Sequence, residues 1–211
     1  MISSEQVQEF INTANQAAEF NLLKCSSGNL SMRLSDRHVA VSASGAWLGS
    51  LQPEQIAICD IETGESLNSI KPSIESYFHV GILKHRRDVN VVLHFQSSYA
   101  TILACSNPEN YIDKLHNTIE MPAYIGQPAI VEYAMPGSME LAESIIDKFK
   151  TENTNIAILK NHGQVSIGVD SKDAIQKAVF FEMNCMIALT SLSLKSLSTD
   201  QQKEIADLGK A

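Results

Sequence analysis

Three short stretches carry side chains whose types and spacing could do chemistry. The first is Val91-Val92-Leu93-His94-Phe95-Gln96-Ser97-Ser98-Tyr99, an apolar β-branched run that ends in His94 and Gln96. Side chains two apart on a strand share a face, so these two sit side by side at a strand end, where ligands collect. The second is Lys71-Pro72-Ser73-Ile74-Glu75, with His79 one helical turn later on the same side. The third is Asn161-His162-Gly163, a histidine at a hairpin tip with little core to fill. Two bends accompany them, Gly28-Asn29 and Ser42-Ala43-Ser44-Gly45. Ser-Gly bends offer hydroxyl and backbone N–H donors, so they can grip a small anion without lysine or arginine. Each feature has a plain structural alternative. A strand histidine can be a satisfied core group, Glu75 can simply complement a helix dipole, and a Ser-Gly bend can be only a turn.

The surrounding pattern says which elements must position these residues. Ser3 and Gln6 form a capping box ahead of Val7, Phe10, Ile11, Ala14 and Ala17, which predicts a first amphipathic helix ending near Asn21. Leu30, Met32 and Leu34 alternate with polar residues as a strand, and Val39 and Val41 begin a returning one. Leu51–Glu54 reads as a short helical turn and Ile56–Asp60 as a third strand. Short connections between these strands point to antiparallel neighbours.

Ser73 is the candidate cap for a helix with Ile74, Phe78, Gly81 and Ile82 inward and Glu75 in its first turn. The central strand is expected over Val89–Leu93, followed by a helix through Tyr99, Ile102 and Leu103. Residues 106–129 read as irregular, either functional or a subunit contact. A short strand is predicted over Ile130–Tyr133, then a helix with Leu141, Ile145, Ile146 and Phe149 inward. Strands at 156–160 and 165–168 flank Asn161-His162-Gly163. A long final helix follows, with Ile175, Val179, Met183, Met186 and Ile187 inward. The polar tail from Ser196 reads as a loosely held helix.

Composition narrows the function classes. The 211 residues are 44% hydrophobic with 6 prolines, which suits one domain over 1–211 with a polar tail at 196–211. The formal net charge is −8 and no basic block exists, which argues against a nucleic-acid partner. Cys25, Cys59, Cys105 and Cys185 are far apart, as reduced thiols of a cytoplasmic protein would be. No apolar run is long enough to cross a membrane, and acidic residues precede the first basic one, the wrong order for a signal peptide. There is no Walker loop, no Gly-x-Gly-x-x-Gly and no Gly-x-Ser-x-Gly.

Taken in order, Gly28-Asn29-Leu30-Ser31-Met32-Arg33, Ser42-Ala43-Ser44-Gly45, Lys71-Pro72-Ser73-Ile74-Glu75 with His79, His94-Phe95-Gln96, Pro136-Gly137-Ser138-x-x-Leu141-Ala142 and Asn161-His162-Gly163 form a set. Their order and spacing resemble the class II aldolase/adducin family over nearly the whole chain. The resemblance implies a three-layer α/β/α domain with a mainly antiparallel central sheet, assembled as a cyclic homotetramer with active sites between subunits. It implies a divalent ion, usually zinc, held at positions His94, Gln96 and His162, with Glu75 as nearby ligand and catalytic base. It assigns the substrate phosphate to Asn29, Ser44, Gly45 and Ser73. The implied reaction is cleavage of a sugar phosphate, L-fuculose 1-phosphate-like, to dihydroxyacetone phosphate and an aldehyde through a metal-stabilised enediolate.

Two positions depart from the family pattern. Gln96 stands where the family has the second histidine of His-x-His, so the ion would be held more weakly or be another divalent ion. Otherwise it keeps two imidazoles, Glu75 and water, or recruits His79 or His116. Ile74 stands where the family usually has serine, which removes one hydroxyl from the phosphate site. Tyr124 and Tyr133 are candidates for the tyrosine proton donor that some aldolases take from a neighbouring subunit. The alternatives to an aldolase are a sugar-phosphate dehydratase or epimerase on the same site, and a non-catalytic adducin-like interaction domain.

Overall fold

The computed structural model describes residues 2–152 and 154–208. Seven strands form one sheet in the order β3-β2-β1-β4-β7-β6-β5. They are β1 (Asn29–Arg33), β2 (His38–Ser42), β3 (Ile56–Asp60), β4 (Val91–Phe95), β5 (Ala129–Val131), β6 (Ile156–Leu159) and β7 (Gly163–Gly168). Among the described residues only the β5–β6 pairing is parallel; every other strand pairing is antiparallel. The expected three-layer arrangement with a mainly antiparallel sheet is therefore present.

Helices cover both faces, and strand parity decides which side chain meets which layer. α1 (Ser4–Glu19), α3 (Ser98–Ala104) and α5 (Ser171–Thr190) share one apolar cluster with Leu30, Met32, Val91, Leu93, Phe95, Ile156 and Ile158. α2 (Ser76–His85) and α4 (Met139–Thr151) share the other with Val39, Val41, Val92, Val165 and Ile167. On β4 the odd residues face the first layer and Val92 faces the second, so His94 faces α2. Among the described residues no helix is long and apolar enough to cross a membrane.

Several boundaries differ from expectation for local reasons. The central strand starts at Val91, because Val89 closes a turn onto the carbonyl of Arg86. The strand expected over Ile130–Tyr133 is Ala129–Val131, and Tyr133 is exposed. The 106–129 segment holds short helical turns at Pro108–Asn110, Ile112–Leu115 and Met121–Ile125. Ile74 was expected inward but is 56% exposed, since α2 begins only at Ser76 and Glu75 occupies its capping position. On α5 the buried face runs through Ala174, Ala178, Phe181, Cys185 and Ala188, while Met186 is exposed. Ile175 is buried as expected, and Phe181 is the largest side chain on that face. The tail forms α6 (Thr199–Leu208), with no fully buried side chain.

Candidate active site

The site is built where β1, β4 and the β6–β7 hairpin meet the start of α2. Asn29 lies directly opposite His94 in the β1–β4 ladder, so their side chains share the face that looks at α2. Backbone bonds then bring the bends in. Ser73 N–H donates to Ser42 O, and Ser44 N–H donates to Lys71 O, both at 3.0 Å. This clamps the Ser42–Gly45 bend against Lys71-Pro72-Ser73. The Ser73 hydroxyl accepts the Glu75 N–H at 3.3 Å, which sets the cap where the carboxylate emerges.

The third arm is the hairpin. Asn161 has φ 55, and His162 N–H closes onto Leu159 O. Gly163 allows the hairpin to approach β4: a Cβ there would lie 2.7 Å from Phe95 O, 2.8 Å from Gln96 Cγ and 3.2 Å from His94 Cε1. Any larger residue would push His162 away from His94. The two imidazoles stand edge to face with ring centres 4.9 Å apart.

The result is a buried cluster of Glu75, His94 and His162, whose ligand atoms all lie within 4.8 Å of one another. Glu75 Oε2 is 3.5 Å from His94 Nε2, and Glu75 Oε1 is 3.4 Å from His162 Nε2. Oε2 also accepts from Asn29 Nδ2 at 2.9 Å, whereas Oε1 is buried without a hydrogen-bond partner. His94 Nδ1 donates to Gln164 O at 2.9 Å, so in the neutral ring the Nε2 lone pair faces the carboxylate. A lone pair facing a carboxylate is repulsive unless a proton or a metal ion lies between them. A tetrahedral ion with bonds of about 2.0–2.1 Å holds its ligands about 3.4 Å apart, which matches these separations. The donor set therefore fits a divalent ion. Burial, together with nearby His94 and against the pull of Glu75, lowers His162 to about 4, which keeps its ring neutral and ready to ligate.

These residues line a cleft of about 250 Å³ that also includes Ser26, Ser27, Gly28, Asn29, Ser44, Gly45, Ser73, Ile74 and Gln96. All eight residues singled out for catalysis, metal and phosphate thus reach one cleft. No lysine or arginine is among its lining residues. Ser44 spends its N–H on Lys71 O, so its hydroxyl is what it can offer an anion.

Other expectations fall outside the cleft. His79 cannot serve as a spare metal ligand: it is fully buried, with Nδ1 2.8 Å from Ser31 Oγ and Nε2 against Asn29 Oδ1. His116 bonds Gln127 through Nε2 at 3.1 Å, and its carbonyl accepts from Leu197, near the tail. Tyr124 packs on Phe180, and neither it nor Tyr133 lines the cleft. Two supporting contacts escaped the sequence reading. The Gln164 carbonyl that fixes His94 is a backbone group and leaves no sequence signal. Glu182 reaches from α5 to cap α3, accepting from Ser97 Oγ at 2.6 Å, Tyr99 N at 2.9 Å and Ala100 N at 2.8 Å. Only the cap residue Ser97 separates α3 from Gln96, so this carboxylate steadies the strand end.

Known proteins resemble this chain over most of its length. Residues 8–189 match the family described as Class II Aldolase and Adducin N-terminal domain. A 3-oxo-tetronate 4-phosphate decarboxylase of Haemophilus influenzae is 31% identical over 191 residues, covering 87% of this chain and 87% of that protein. An L-fuculose phosphate aldolase of Methanocaldococcus jannaschii is 30% identical over 188 residues, covering 89% and 98%. Among solved structures, an L-fuculose 1-phosphate aldolase superposes with a TM-score of 0.86 at 26% identity, covering 100% of this chain and 99% of that one.

Proposed function

The chain belongs to the family of class II aldolases and adducin N-terminal domains, and we propose that it works there as a divalent-metal-dependent lyase on a phosphorylated ketose. The first-choice reaction is cleavage of an L-fuculose 1-phosphate-like substrate to dihydroxyacetone phosphate and an aldehyde. One observation carries the reading: Glu75, His94 and His162 turn acceptor atoms toward a common point inside a cleft lined by the Gly28-Asn29 and Ser44-Gly45 bends.

His94, His162 and Glu75 would hold the ion, with Gln96 beside them; zinc is the first choice. A bound divalent ion would act as a Lewis acid, drawing charge from the substrate's carbonyl and hydroxyl oxygens. The chain's own residues do the rest. The hydroxyls of Ser44 and Ser73, the Gly45 turn and the Asn29 amide receive the phosphate, which fixes the reacting carbons relative to Glu75. In the cleavage a proton leaves the hydroxyl of the departing carbon, and another reaches the carbon left behind. Glu75 Oε1, without a hydrogen-bond partner, is the oxygen suited to carry a proton, while Asn29 restrains Oε2. Because Tyr124 and Tyr133 lie off the cleft, a tyrosine donor would come from a neighbouring subunit of a homotetramer.

A second reading is decarboxylation of a 3-oxo sugar-acid phosphate, favoured by the Haemophilus influenzae relative. It breaks the bond next to the same kind of carbonyl and releases carbon dioxide in place of an aldehyde. The decarboxylase substrate carries a carboxylate as a second anion, and the cleft lining holds no lysine or arginine to pair with it, which favours the aldolase reading. Incubation with L-fuculose 1-phosphate and with 3-oxo-tetronate 4-phosphate, assaying aldehyde, carbon dioxide and dihydroxyacetone phosphate, separates the two. Products that keep the full carbon skeleton would instead show an epimerase or dehydratase. Glu75→Gln is expected to lower kcat about 10²–10⁴-fold. Turnover that survives exhaustive chelation would overturn the metal-dependent reading.

A further inference from the structure

His79 is fully buried, yet both its ring nitrogens are engaged. Nδ1 lies 2.8 Å from Ser31 Oγ, and Nε2 meets Asn29 Oδ1. Asn29 passes the contact on, since its Nδ2 donates to Glu75 Oε2 at 2.9 Å. Ser31 and Asn29 are two apart on β1 and so face the same way, toward the helix that presents His79 one turn beyond Glu75. We propose that Ser31, His79 and Asn29 form a positioning chain that fixes the orientation of the Glu75 carboxylate. This rests on the reading of Glu75 as the group that moves the proton.

Polarity along the chain follows from what each group can do. A carboxylate only accepts, so Asn29 must turn its amide nitrogen to Glu75. Its amide oxygen then faces His79, whose Nε2 must carry the hydrogen. The ring is held neutral, because burial and nearby His94 push it well below the usual histidine range. Nδ1 is therefore an acceptor, and the Ser31 hydroxyl donates to it. A flipped Asn29 amide would set oxygen against the carboxylate at one end and lose the His79 donor at the other. His79 thus makes the flip costly without itself lining the cleft. The consequence at Glu75 is a division of labour: Oε2 is restrained, and Oε1 stays free.

The first test needs no substrate. Long-range nitrogen–proton NMR of the metal-loaded wild-type protein should show His79 as the neutral Nε2–H tautomer; a ring carrying its hydrogen only on Nδ1 overturns the proposal. The second uses variants and the aldol or decarboxylation assay. His79→Leu should lower kcat about 10–100-fold with KM within about twofold and the bound-metal stoichiometry unchanged. His79→Gln, whose side-chain amide can donate near the position of Nε2, should recover most of that loss. Unchanged kcat, a loss that tracks metal loss, or no recovery by glutamine would each overturn it. If His79→Leu does not fold, Ser31→Ala must show a smaller drop in kcat with KM unchanged, and a parallel change in both refutes the chain. A wild-type protein inactive on every ketose phosphate would sink the reaction assignment, while the tautomer would still decide the positioning chain.

Discussion

His94 gives its Nδ1 hydrogen to the backbone carbonyl of Gln164, 2.9 Å away on the neighbouring strand. The ring cannot turn without leaving that hydrogen unpaired in a buried place, so its Nε2 is aimed at Glu75 before any ion arrives. If Gln96 completes the set as proposed, it is the member that would limit affinity. Gln96 lines the cleft next to the His162 hairpin and offers a neutral, harder oxygen. Gln96→His should tighten zinc binding about 10–100-fold, read by competition with a chromogenic chelator. Equal affinities in the two proteins would mean that residue 96 does not reach the ion.

Removing the ion should expose a pH dependence of stability. His162 has its pKa lowered from 6.5 to about 4, chiefly by burial and by His94, and His79 is shifted the same way. Between those values the unfolded chain binds a proton that the folded chain refuses. Stability is therefore complete above about pH 6.5 and is lost as pH falls toward 4. Urea unfolding of chelator-treated protein at pH 7, 5.5 and 4.5 should show this fall, and His162→Gln should reduce it, leaving the part due to His79. Parallel curves for wild type and variant would show that His162 is not held neutral by the fold.

Elements with local signals were legible in the sequence. The capping box of Ser3 and Gln6 starts α1 where expected, and Phe10, Ala14 and Ala17 are buried. Strand parity placed His94 and Gln96 in one cleft. Contacts made only by the tertiary fold were not legible. Asn29 was assigned to phosphate from its turn, and nothing local announces that its amide also bridges Glu75 and His79. Glu182 lies far along the chain from the helix it caps. Ile74 looked like a helix residue because its type is apolar, but the helix begins after it.

The final long helix shows the same limit and allows a direct test. Its apolar residues surround more of the circumference than one stripe, so periodicity alone cannot choose between the methionine side and the alanine side. The fold chooses Ala174, Ala178, Phe181 and Cys185. Phe181→Ala should cost about 3–5 kcal/mol, because a fully buried ring leaves a cavity. Met186→Ala, at a side chain 40% exposed, should cost under about 1 kcal/mol. Urea midpoints for the two variants decide the face, and the reverse order would restore the methionine stripe.

Gly28 ties the Gly28-Asn29 bend to the strand end that carries His94. Its φ is +82, and a Cβ there would lie 2.5 Å from Leu23 Cδ2 and 2.7 Å from the carbonyl oxygen of His94. The leucine tip can move, but the carbonyl belongs to β4 and cannot shift without moving His94. Gly45 provides the control, with φ +74 and nothing within 4 Å of its Cβ position. Both alanine variants carry the left-handed strain of about 1–2 kcal/mol. Gly28→Ala adds the displacement of β4, so it should be the less stable of the two and should also bind less metal per chain. Urea unfolding with elemental analysis of the purified variants measures both effects. Equal stability and equal metal content would mean that β1 and β4 can separate at this end without disturbing His94.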